Sequence, residues 1–286
     1  MKILIQDYSS RLSTEPQYLG ACLHQAGQEV HMWTKDTGGN YQPIFDVFNR
    51  VKPDLFILHV NKMDEDVIKS IAKFDTKVCL NVSDSPIDIQ SIEETLSSLN
   101  IKNVKLFSNN LWTKHVEVLL PAFDPFLPTV KHFSIPFVGV SMSDLEEAKL
   151  AAEEQEVYHL VNFGSDAVEG FDFTHDINLI GHLNNYDKAV MHLPGDVCCS
   201  QVFFQSTIRA NKLSIKPTDK QELFNEFLEF AFEPEETTKS VEAVVKSQIA
   251  KKHTSFNRAK QLLNIWNFEE AKLFDDVIQK IGEANE

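Results

Sequence analysis

Residues 77–86 read KVCLNVSDSP. Four mostly apolar residues give way to Asn81, Val82, Ser83, Asp84 and a chain-stopping Ser-Pro. The pattern is that of a buried strand with a carboxylate, Asp84, standing where the strand runs out.

Working outward, the same pattern recurs on both sides. MKILIQ is an apolar run opening on Asp7, and YLGACLHQAG is an amphipathic helix that stops at Gly27. EVHMW is a second strand, IFDVFNRVK a helix and PDLFILHV a third strand. DEDVIKSIAKF, with its acidic first turn, is a helix leading into the strand at 77. SIEETLSSLN then reads as helix and NVKLFSN as a fifth strand. Strands alternating with helices imply right-handed crossovers and a parallel, doubly wound sheet. This predicts an N-terminal Rossmann-like domain over residues 1–118.

HVEVLLPAFDPFLPT follows, with three prolines between residues 121 and 128. Proline fixes the backbone without pairing it into a sheet, so residues 119–135 are expected to be an interdomain passage. A second alternating series then begins. SMSDLEEAKLAAEEQE is a helix, VYHLVNFG a strand ending on Gly164, and HDINLIGHLNNY a helix. DKAVMHLPG is a strand ending on Pro194-Gly195, DVCCSQVFFQSTIRAN a helix, KLSIKP a strand and KQELFNEFLEFAF a helix. From about Thr237 the chain reads as helical to its end. The second domain is expected over 136–265, with a last helical segment, 266–286, packing back on the first. The fold class predicted is α/β, two doubly wound Rossmann-like domains facing across a cleft.

Composition narrows the functions. The 286 residues are 43% hydrophobic and 24% charged, as in globular proteins. No run of about 18 apolar residues is present, so no membrane span is expected and a cytoplasmic location is. The net charge of −15 argues against broad binding to a nucleic-acid backbone. Four cysteines sit in apolar segments without metal-like spacing and read as reduced structural thiols. Ten glycines are few, and neither GxGxxG nor GxxxxGK[ST] occurs. No metal or cofactor is called for.

Ligands of doubly wound sheets lie beyond the carboxyl ends of the strands. The informative positions are therefore Asp7, Asn61, Asp84 and Ser108 in the first half, and Gly164, Ser165, Gly195 and Lys216 in the second. Within GDVCCSQVFFQSTIRANKLSIKP, the helix after Pro194-Gly195 offers N–H groups and the positive end of its dipole to a diphosphate. Ser200 and Gln201 add side-chain donors there, and Gln205, spaced i to i+4 from Gln201, reaches a ribose hydroxyl. The same two glutamines also fit the solvated stripe of a Phe-rich helix. Asp84 likewise fits an N-cap or turn aspartate before SIEETL as well as it fits a base. His175 and His182, seven apart, lack the spacing of a helical metal pair. His253 and Arg258 lie on a late helix expected near the donor site.

These residues carry a resemblance. VFFQSTIRANKLSI resembles the late donor-site motif of GT-B-type glycosyltransferases, with Gln205 at the usual glutamate position and Ala210 at the usual glycine. VLLPAFDPFLPT and KKHTSFNRAKQLLNIW are similar to the interdomain passage and the late His-Thr…Arg-Ala helix of the CgeB-like branch. SDSP resembles the Asp-containing turn after that branch's fourth strand, and KVCLNVSDSP also resembles the base-bearing segment of phage DNA glucosyltransferases.

The resemblance implies a hexosyl- or pentosyltransferase using a nucleotide-sugar donor as substrate, with Asp84 as general base and Gln205 on the donor ribose. The acceptor hydroxyl would belong to a glycan, a protein, a small molecule or a hydroxymethylated base in phage DNA. In the last case the location becomes the host cytoplasm. The chain departs from the family where a cation usually meets the diphosphate: FGSDAVEGFDF brings three acids and none. Arg11 or Lys216 is left for that contact. A sugar-nucleotide epimerase and a non-catalytic nucleotide-sugar-binding protein are the alternatives.

Overall fold

The computed structural model describes residues 1–7, 15–59, 71–82, 89–109, 116–122, 125, 137–140, 159–162, 172–173, 188–193, 195–199, 201–209, 212–217, 219–232 and 241–284. These residues divide into two compact units, the first built on Thr14–Pro121 and Ser255–Gln279, the second on Ala122–Thr254.

In the first unit, β1 (Lys2–Gln6), α1 (Glu15–Gln25), β2 (Glu29–Trp33), α2 (Ile44–Val51), β3 (Leu55–His59), β4 (Lys77–Asn81), α3 (Ile89–Ser98), β5 (Val104–Ser108) and β6 (Glu117–Val118) follow in order. The six strands form one sheet in the order β2-β1-β3-β4-β5-β6, every pairing parallel. Parallel strands are covered on both faces, so their sequences run apolar without alternation. Ile3, Leu4, Ile5, Leu55, Phe56 and Ile57 are accordingly all excluded from solvent. Each such side chain contributes about 1.5–3 kcal/mol relative to exposure.

Alternate residues of these strands serve alternate faces. Leu4, Phe56, Leu58, Val78 and Leu80 pack with Val47, Phe48 and Val51 of α2 and with Ile92 and Leu96 of α3. On the other face α1 buries Leu19, Cys22 and Leu23, an i, i+3, i+4 stripe. Gly20 brings α1 close to the sheet: a Cβ there would lie 3.3 Å from Met32 Sδ of β2. The helix stops where Gly27 takes a φ of +81°, as the sequence led one to expect.

The second unit holds β7 (Phe137–Val140), β8 (His159–Asn162), β9 (Asp172–Phe173), β10 (Lys188–Leu193), α4 (Gly195–Cys198), α5 (Gln201–Arg209), β11 (Lys212–Pro217), α6 (Gln221–Ala231) and α7 (Val241–Lys252). Its five strands, again all parallel, lie in the order β11-β10-β7-β8-β9. β7 is the central strand, and the sequence reading passed over it. FVGV is four residues long, carries a glycine and follows a proline, so it offers too little pattern to stand out. The expected helices at SMSDLEEAKLAAEEQE and HDINLIGHLNNY, and most of the one at DEDVIKSIAKF, lie outside the described residues.

The chain then returns to the first unit as α8 (Ser255–Ile265), a 3-10 turn (Glu269–Phe274) and the start of α9 (Asp275–Ala284). The return begins at Ser255, earlier than the residue 266 expected. The helical reading of the chain's end is interrupted at His253–Thr254, within the segment that runs to Trp266. The reason lies in the packing. α8 lies against α1, Leu262 receives the Cys79 thiol at its carbonyl, and the Trp266 indole donates to the Val78 carbonyl at 3.3 Å. Lys77 and Lys105 stand over the same indole at 4.9 and 4.6 Å.

Candidate functional site

In the second sheet the strand order reverses between β7 and β10. Counted within the unit, the order is 3-2-1-4-5, that of a mononucleotide-binding half. Connections leave such neighbouring strands toward opposite faces, and the gap between them is where ligands of open α/β sheets lie. Gly195 opens α4 immediately beyond β10, at this reversal point.

A side chain at position 195 has no room. Its Cβ would stand 2.7 Å from the Asp219 carbonyl and 2.9 Å from Lys220 Cβ. The segment after β11 therefore crosses directly over the turn, and the Gly195 N–H donates to Asp219 Oδ1 at 2.7 Å. This corrects one expectation: the first N–H of the turn is already held by a carboxylate. The expected single helix over 196–211 is two, with the break at Cys199, so the Gln201–Gln205 spacing falls within α5 alone. Gln201 opens α5 and is buried, which removes it from any solvated stripe. Gln205 falls one turn later in α5, and Lys216 lies near the end of β11 in register with His192.

Behind this turn α5 is anchored by aromatic packing. Phe203 meets Phe227 edge-on with ring centroids 5.3 Å apart, and Phe204 meets it at 5.7 Å. The His253 ring stacks on Phe204 at 4.9 Å, and its Nε2 bonds the Ala231 carbonyl at 2.9 Å. A carbonyl partner assigns the proton to Nε2. His253 therefore packs on α5, the helix of Gln201 and Gln205, as a buried core residue tying it to the end of α6.

At the carboxyl edge of the first sheet stand Asp7, His59, Asn81 and Ser108. Asn81 and Ser108 are fully buried, so Ser108 is not the accessible group the sequence suggested. Asp84 lies two residues beyond Val82, whose N–H donates to the Phe107 carbonyl at 2.9 Å. Asp84, Arg11, Asn61, Gly164, Ser165, Ser200, His175 and His182 lie outside the described residues.

Beside that edge is a buried polar group the sequence reading missed. Glu15, at the start of α1, accepts a hydrogen bond from Asn109 Nδ2 at 2.6 Å. Arg258 of α8 is buried as well. Its Nε donates to the Leu120 carbonyl, its Nη2 to the Pro121 carbonyl at 3.2 Å and its Nη1 to Gln261 Oε1 at 2.8 Å. Burial pushes the Glu15 carboxyl up to about 7, against the opposing pull of the Arg258 charge and the Asn109 bond. Burial likewise lowers Arg258 to about 10, which keeps it charged at neutral pH. The available signal was Glu15-Pro16, an acid with proline at a helix start. Sequence gave no hint that it would be covered.

No disulfide joins the four cysteines, and Cys22, Cys79 and Cys198 are buried. Among the described residues no three His, Cys, Asp or Glu side chains are grouped to hold a metal ion, and no helix is long and apolar enough to cross a membrane.

No protein-family model matches this chain, and no curated protein matches it. Among solved structures it is similar to a Streptomyces sp. SF2575 glycosyltransferase, SsfS6, at 13% identity over 99% of this chain and 96% of that one, with a TM-score of 0.48. It is also similar to spinosyn rhamnosyltransferase SpnG complexed with thymidine diphosphate, at 11% identity over 99% and 96%, TM-score 0.48. A third is the glycosyltransferase SnogD from Streptomyces nogalater, at 12% identity over 98% and 99%, TM-score 0.47.

Proposed function

We propose that this chain is a GT-B-type glycosyltransferase, moving a sugar from a nucleotide-sugar donor to an acceptor hydroxyl. The observation that carries the reading is the strand order of the second sheet. It reverses between β7 and β10, and a glycine turn follows β10 at that point. A nucleotide is the ligand such a reversal point accommodates. The sequence pattern VFFQSTIRANKLSI, spanning α5 and β11, supports a sugar nucleotide in particular.

On this reading the donor lies against the Gly195 turn, with Gly164, Ser165, Ser200, Gln201, Gln205 and Lys216 as its contacts and Arg11 as a further cation for the diphosphate. Asp84 is the catalytic base. The acceptor oxygen attacks the anomeric carbon as its proton passes to the Asp84 carboxylate, a group of much lower pKa than any alcohol. The bond from the anomeric carbon to the diphosphate oxygen breaks, and its electron pair leaves with the nucleoside diphosphate. Because the Gly195 N–H is already engaged by Asp219, the departing charge depends on the remaining donors and on the cation.

Two measurements test this. In a thermal-shift series with UDP, TDP, GDP and CDP, at about 100 times the dissociation constant, the bound folded state gains about 2.7 kcal/mol and melts a few degrees higher. No shift with any of the four ends the donor-site reading. Asp84→Asn keeps that shift and lowers turnover on the order of 100- to 10,000-fold. Wild-type turnover in that variant removes Asp84 as the base while leaving the donor site standing.

A further inference from the structure

The first sheet has its own reversal point, between β1 and β3, and the ladder there ends early. β1 pairs β3 only as far as Ile5 opposite Ile57. It follows β2 to Gln6 opposite Trp33, and then the Asp7 N–H donates to the Trp33 carbonyl at 3.0 Å. β3, meanwhile, stays paired with β4 to His59 opposite Asn81. The two central strands therefore part at their carboxyl ends, each following its outer neighbour.

The side chain of Gln6 fills the split. The His59 N–H donates to Gln6 Oε1 at 2.9 Å. Close by, the Tyr41 hydroxyl donates to the Asp7 carbonyl at 2.7 Å. Tyr41 is itself held in place by its ring contact with Trp33, centroids 4.7 Å apart. One amide thus ties the last residue of β3 to the last residue of β1. A longer ladder would have satisfied the His59 N–H without any side chain. Using an amide costs side-chain entropy and keeps the strands separated.

We infer that Gln6 is a positioning residue for the acceptor: its amide wedges β1 from β3 and sets the spacing of Asp7 and His59. Those two residues end the strands on either side of the crevice, and the register continued by two places sets them side by side. Both are partly accessible, unlike Asn81 and Ser108 at the neighbouring strand ends. The crevice lies one strand away from the β4 end that leads to Asp84, so it serves to hold the hydroxyl-bearing molecule rather than to take its proton. This inference rests on the transferase reading above.

The test uses the full chain with Gln6→Ala, Gln6→Glu and Tyr41→Phe. UDP-glucose and TDP-glucose serve as donor probes and methyl glucoside supplies the hydroxyl. In Gln6→Ala, amide exchange at His59 accelerates roughly tenfold while Ile57 is unchanged. Turnover falls on the order of 100-fold, the effect of a displacement of about 1 Å, with the donor KM unaltered. Gln6→Glu keeps an oxygen for the His59 N–H and restores the exchange protection and part of the turnover, whereas Tyr41→Phe lowers turnover alone. Unchanged His59 exchange, or kcat and donor affinity lost together, overturns the inference. Wild-type turnover that the Gln6 variants leave intact defeats this role alone. Absence of both turnover and diphosphate binding in the wild type defeats the transferase reading and this role with it.

Discussion

Replacing Glu15 by Gln should change how stability depends on pH, and the structure gives the size of the change. The carboxyl is held at about 7 in the folded protein against an ordinary value of 4.5. A group with a raised folded pKa binds more protons folded than unfolded, so its contribution is complete below pH 4.5 and is lost as pH rises through 7. From 4.5 to about 7, at about 1.36 kcal/mol per tenfold change in proton affinity, the loss is about 3 kcal/mol. Because the side chain is covered, solvent screening does little to reduce it. The assay is urea denaturation of wild type and Glu15→Gln from pH 4.5 to 8.5, taking the difference at each pH so that other titrations cancel. The wild type should lose stability relative to the variant across pH 4.5–7 and then level off. A difference that is flat refutes the reasoning. One that runs the other way means attraction to the Arg258 guanidinium outweighs burial, and the carboxyl is ionised throughout.

Two further predictions concern the second unit. Gly195→Ala forces a Cβ against the backbone of the segment after β11, at 2.7 Å from the Asp219 carbonyl. It should cost about 1–3 kcal/mol in thermal melting and abolish the nucleotide-induced shift, since the turn must move. Phe204→Ala removes a ring with no solvent exposure that contacts Phe203, Phe227, Phe232 and His253. Its expected cost is about 3–5 kcal/mol by chemical denaturation, and a value below 1 kcal/mol would mean that the cluster collapses to fill the space.

The legible part of the fold was local. KILIQ, LFILH and KVCLN have the unbroken apolar character of strands covered on both faces, and the helices between them carry stripes at helical spacing. β7 and β9, four and two residues long, lack enough length for either period to show. Among the site residues, the turn at Gly195 was legible because Pro-Gly closes an apolar run. Its contact with Asp219, 24 residues on, was not. Glu15 stood out in no sequence pattern and Arg258 was expected near the donor site, since nothing near either one in sequence announces the pairing of Arg258 with the carbonyls of Leu120 and Pro121.

The amino-acid sequence by itself determined the longer strands and helices, and hence that its sheets are parallel, because residue periodicity and turn chemistry act within a few residues. Only the tertiary structure decided the order of the strands, the two reversal points, the wedge at Gln6 and the burial of Glu15. Those depend on which segments distant in the chain pack together, and that is set by the burial of whole faces at once rather than by any local pattern.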